Sequence, residues 1–97
     1  MTRMPLILAA SLALALAAPA AHAACYADYK AKRENGALQL HYGVAEIGGA
    51  CARGAAADEL GPRLAAQGWT LLNVVSVFEA EGLEERKASA GAFYLRF

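Results

Sequence analysis

Apolar and polar residues alternate on both sides of Asn35-Gly36, through 25–34 (CYADYKAKRE) and 37–47 (ALQLHYGVAEI). An Asn-Gly pair between alternating segments predicts a two-residue β-hairpin, because both central positions of its turn need a positive φ. That turn would set the register: Glu34 faces Ala37, Ala31 faces Leu40, Tyr29 faces Tyr42 and Ala27 faces Val44. One face then carries Ala27, Tyr29, Ala31, Leu38, Leu40, Tyr42 and Val44. The other carries Tyr26, Asp28, Lys30, Lys32, Gln39 and His41. Such a division is expected of an antiparallel pair buried on one side. Cys25 falls on the apolar side.

Residues 48–57 (GGACARGAAA) break the alternation and read as a crossover carrying Cys51. A short helix is expected within 56–67, with Asp58 as a candidate N-cap and Leu60 and Leu64 on one face. Gly61-Pro62 leaves two versions open, because proline is comfortable only in a first turn. The helix begins at Pro62, or it starts near Asp58 and kinks at the proline. Gly68 is placed to end it in a left-handed conformation. Residues 69–79 (WTLLNVVSVFE) are rich in β-branched and aromatic residues but do not alternate cleanly, which predicts a central strand or a bulge. Residues 80–90 (AEGLEERKASA) read as a charged connection, and 91–97 (GAFYLRF) as a last strand. The layout is β-β-α-β-β, an α+β fold with a small antiparallel sheet and one helix packed on one face.

The first 23 residues follow a different pattern. Arg3 precedes an apolar run from Leu6 to Ala18, Pro19 ends it, and Ala21-His22-Ala23 supplies a small-x-small cleavage site. The run is shorter than the ~20 residues a helix needs to span a bilayer core. Residues 1–23 therefore read as a cleaved signal peptide and 24–97 as a single domain, periplasmic or secreted, with no stable membrane insertion after cleavage. Cys25 stands where a lipoprotein would carry its acylated cysteine, but His22 occupies the position that calls for a large aliphatic residue.

Composition adds one constraint. All eight aromatic residues lie after residue 23, yet a domain of this size buries a limited fraction of its surface. Export to an oxidising compartment makes Cys25 and Cys51 an expected disulfide. Closing that loop contributes about 3.5 kcal/mol on chain-entropy grounds. A redox pair or a metal site is disfavoured, since no Cys-x-x-Cys occurs and His41 is the only histidine after residue 23. The domain holds eight Lys/Arg against nine Asp/Glu. It has neither the basic footprint of a nucleic-acid binder nor a polybasic cluster for anionic membranes.

Several features come together in a family resemblance. Tyr29-Lys30, Leu60 and Leu64, Gly68-Trp69, Leu71-Leu72-Asn73-Val74-Val75 and Phe93-Tyr94-Leu95-Arg96-Phe97 resemble the bacterial domain of unknown function 4177. The resemblance covers most of residues 24–97 and implies a helix ending in Gly-Trp that runs into an apolar strand, with an aromatic-aliphatic-basic strand at the end. The family has no established activity, so the resemblance implies none.

No nucleophile–base arrangement is visible. Ser76 and Ser89 lack a Gly-x-Ser-x-Gly turn, Glu81, Glu84 and Glu85 read as a solvated mixed-charge run beside Arg86 and Lys87, and Trp69 reads as a packing residue. No catalytic residue, cofactor or metal site is expected. The candidate ligand face is Tyr26, Lys30, Lys32 and His41, with Tyr94 and Arg96 beside it, where basic and aromatic groups would meet a protein or a small anionic ligand. The expected function is an exported, non-catalytic binding or accessory module. The alternatives are a structural or envelope-associated protein that recruits a partner through an exposed strand edge, then a small enzyme.

Overall fold

The first strand in the chain is the middle of the sheet. A computed structural model describes residues 23–97, with strands β1 (Cys25–Glu34), β2 (Leu38–Ile47) and β3 (Thr70–Phe78) in the antiparallel order β2-β1-β3. Helix α1 (Arg53–Ala65) joins β2 to β3, and helix α2 (Leu83–Ala90) follows β3 after a 3-10 turn. The signal-peptide reading of 1–23 lies, apart from Ala23, outside the described residues. The small α+β fold expected from the pattern is present, but its layout is β-β-α-β-α.

The hairpin register differs from expectation by one residue. Glu34 pairs with Leu38, Lys32 with Leu40, Lys30 with Tyr42 and Ala31 with His41. Only Gly36, at φ 81°, has a positive φ in the turn, so the two-residue turn is not formed and Ala37 joins the loop. β1 keeps its expected parity, whereas every side chain of β2 changes face. His41 is 8% exposed, and Leu38 and Leu40 point outward. Gly43 explains the preference. It now stands opposite Tyr29, where a Cβ would lie 2.5 Å from the Tyr29 hydroxyl oxygen. The large ring of Tyr29 is fully buried by crossing the one position of β2 that has no side chain.

The buried layer lies between this face of the sheet and α1. Ala27, Tyr29, Ala31, Ala45, Ile47 and Val74 meet Ala56, Leu60 and Leu64, with Trp69 closing one end. The helix backbone comes nearest to β3, and burying leucines at i, i+4 stabilises by about 2 kcal/mol each. That packing carries α1 through Pro62, so the helix starts at Arg53, earlier than either version expected, and holds Asp58 in its interior. Gly68 (φ 83°) ends the helical turn as expected, with the Gly68 and Trp69 amides donating to the Ala65 and Leu64 carbonyls.

β3 has the expected irregularity, with register shifts opposite Asp28/Tyr29 and Lys30/Ala31, but it is an edge strand and not the centre. The expected charged connection at 80–90 is largely α2. The expected last strand is absent. Gly91 (φ 54°) turns the chain after α2, Tyr94 makes one parallel bridge to Val44, and Leu95 sits at φ 53°, outside any strand conformation. Phe93 and Phe97 pack into the aromatic cluster at His41, and that burial sets the path of the segment.

Candidate functional site

The second face of the sheet is divided in two. Its closed half is tied to α2 by Asp28, which is 4% exposed. Tyr42 Oη donates to its carboxylate at 2.7 Å, Ser76 Oγ at 2.6 Å and Arg86 Nε at 3.2 Å. Burial would raise the Asp28 pKa, but these hydrogen bonds and the Arg86 charge hold it below the usual carboxylate range. Arg86 also lies 3.9 Å over the Phe78 ring and donates to the Gly82 carbonyl. Burial and the Asp28 carboxylate push the Tyr42 phenol up to about 12. The sequence signal for this group was a charged residue in mid-strand between Ala27 and Tyr29. Its partner Arg86 had read as one of a solvated run.

The open half is bare of helix. Leu40 (65% exposed) and Leu72 (49%) stand out from it beside Lys30, and Leu38 (61%) lies further along β2, opposite Glu34. A shallow depression of about 320 Å³ is lined by Lys30, Leu40, Tyr42 and Leu72, with Ala31 and His41 contributing to its floor. Lys30 has no hydrogen bond or ion pair among the described residues, whereas Lys32 is held 3.2 Å from Glu34. No carboxylate lines the depression.

Three of the four residues expected on the ligand face share it. Tyr26, Lys30 and Lys32 are on this side of β1, with Tyr26 stacked on Phe78 at the closed end. His41 is not with them, because the one-residue register change turns it to the α1 side. There its Nε2 lies 3.0 Å from Tyr29 Oη, Phe93 stacks on it at 3.8 Å and Trp69 meets it edge-on at 4.3 Å. Burial, with Arg33 and Arg96 nearby, pushes the imidazole below its usual pKa. Burial likewise pushes the Tyr29 phenol up to about 12. Tyr94 and Arg96 lie on the segment that crosses the β2 edge, away from Lys30. Reading the alternation alone missed Leu40 and Leu72. The available signal was that β2 carries apolar residues in both parities, Leu38, Leu40 and Val44 in one and Ala45 and Ile47 in the other.

Cys25 and Cys51 form the disulfide, with Cα atoms 5.7 Å apart. In the loop that carries Cys51, the Gly48 and Gly49 amides each donate to Glu59 at 2.9 Å. Those bonds lower the Glu59 pKa. No cluster of metal-ligating side chains is assembled among the described residues, and none of their helices is long and apolar enough to cross a membrane. Comparison with protein-family models, curated proteins and solved structures finds no match.

Proposed function

We propose that the protein is an exported, non-catalytic binding or accessory module whose working surface is the open half of the second sheet face. The observation that carries this reading is the pair of outward leucines, Leu40 and Leu72, beside Lys30, which has no hydrogen bond or ion pair among the described residues, with exposed Leu38 continuing the apolar row along β2. Scattered exposed leucines need no explanation, but a contiguous patch rimmed by charge marks a contact surface. The complementary partner presents an apolar side with an acidic group to meet Lys30. The disulfide supports an oxidising compartment, periplasmic or extracellular. The resemblance to the domain of unknown function 4177 brings no activity to transfer, so the reading rests on the surface alone.

The free edges favour the face over strand addition. β3 has two register shifts, and Arg53 Nη2 donates to its Val74 carbonyl at 3.2 Å. The outer side of β2 is bonded at Val44 by the Leu95 amide at 2.8 Å. Irregular and covered edges are poor templates for a further strand.

Photo-crosslinking residues at positions 40 and 72 test the reading in envelope and culture fractions, with exposed Ala65 on α1 as the control site. Adducts of one discrete mass from 40 and 72, absent from 65 and lost with Lys30→Glu, are expected. Equal labelling from all three positions, or adducts indifferent to Lys30→Glu, overturns it.

A further inference from the structure

On the opposite side of the molecule, three arginines gather with only one carboxylate, Glu59, paired to them among the described residues. Arg63 comes from the last turn of α1 and Arg96 from the segment after α2. Together with Ala66, Gln67 and Phe97 they line an open depression of about 450 Å³. Arg96 is exposed, lies 5.7 Å over the Phe97 ring and 5.6 Å over Phe93, and has no acidic partner among the described residues. Arg63 Nη2 donates to the Glu46 carbonyl at 2.9 Å, while its Nε is buried with no acceptor. The acid nearest Arg63, Glu59, stands 3.8 Å away and already accepts from the Gly48 and Gly49 amides. A third guanidinium, Arg33, is set over Trp69 at 4.2 Å and held by Gln39 at 3.0 Å.

We infer that the Arg63–Arg96 depression is a binding site for a small organic oxyanion, a carboxylate carried on a flat apolar body. The guanidiniums of Arg63 and Arg96 and the Gln67 amide supply donors for the oxyanion, and charge-assisted bonds of this kind are the stronger ones. The Phe97 ring supplies a surface against which a flat apolar body stacks. The positive character reaches the interior, where Arg33 and Arg96 disfavour protonation of His41 and Arg63 and Arg96 act on Tyr29. This site is separate from the leucine surface around Lys30 and stands or falls without it.

The test is an NMR titration of the disulfide-bonded protein with benzoate, using benzamide as the uncharged match and acetate and inorganic phosphate as anions without the ring. Benzoate is expected to give saturating shifts at Arg63, Gln67, Arg96 and Phe97, and benzamide none. Acetate and phosphate should bind several-fold more weakly. Arg96→Gln should weaken benzoate by about tenfold, the loss expected for one charged hydrogen-bonding partner. Equal shifts with benzamide, unchanged affinity in Arg96→Gln, or shifts centred on Lys30 and Leu40 overturn the site. Phosphate binding as well as benzoate overturns the apolar body. The benzoate–benzamide comparison uses the unaltered protein, so the charge requirement is decided even where a variant loosens the fold.

Discussion

On the face of the sheet beneath α1, alanines of β1, the Tyr29 ring and the leucines of the helix fill the space between two elements, with the Tyr29–His41 pair as the main buried polar contact. On the other face, α2 is short and mostly polar, and it is fastened through Asp28 and Arg86 with Tyr42 and Ser76 completing the bonds. The first face gains its stability from apolar area, which tolerates small shifts. The second depends on one carboxylate with three donors, where loss of a single partner strands the others. The difference also accounts for the exposed leucines: a helix of eight residues covers half a sheet face and leaves the rest bare.

The largest expected effect is on the packed face. Leu60→Ala should cost about 4 kcal/mol by opening a cavity under α1, read as a shift of the denaturant midpoint. Next comes the disulfide, whose reduction should remove about 3 kcal/mol and lower Tm by more than about 10 °C. If oxidised and reduced forms melt together, the bridge does not stabilise this fold. Asp28→Asn should cost about 2 kcal/mol, since the shape stays but Arg86 loses its charged partner. A loss larger than that of Leu60→Ala would reverse the ranking of the two faces.

Acid should act on both faces in sequence. The His41 pKa is lower in the folded protein, so the unfolded chain binds the proton first. Stability present above about pH 6.5 is therefore lost as pH falls below it. Asp28 is likewise depressed, so its contribution is intact above about pH 4 and falls away below. Tyr29 and Tyr42, both raised to about 12, reverse the sign: their stability holds below about pH 10 and is lost as pH climbs toward 12. Urea titrations across pH check each arm, and Asp28→Asn should flatten the one below about pH 4 and also shrink the alkaline arm, since the Asp28 carboxylate helps raise the Tyr42 phenol. The smallest expected effect belongs to the open half, where Leu40→Ser or Leu72→Ser should change stability by no more than about 0.5 kcal/mol.

β1 was legible because its two parities differ sharply: Ala27, Tyr29 and Ala31 against Tyr26, Lys30 and Lys32. The disulfide followed from compartment and the helix end from Gly68. β2 was not legible, since apolar residues fall on both its faces and the deciding contact, Tyr29 over Gly43, joins residues from two strands. The same limit applied to 91–97, where Phe93 and Phe97 look like one side of a strand but reach His41 by leaving the sheet. Of the candidate face, Lys30 and Lys32 were readable. Leu40 depended on the register, and Leu72 on where in β3 the bulge falls, which the uneven alternation of 69–79 signals without placing.

The bridge between Cys25 and Cys51 has a topological consequence. It encloses the entire hairpin in a covalent ring, with the exposed Asn35-Gly36 tip at the far end from the sulfurs. A protease nick at that tip, the kind of site where cleavage concentrates, severs the backbone without releasing a fragment. Both cut ends stay attached through sulfur while β1 remains bonded to β2 and β3. A singly nicked molecule would keep its mass apart from one added water and would separate into two pieces only when reductant reaches it.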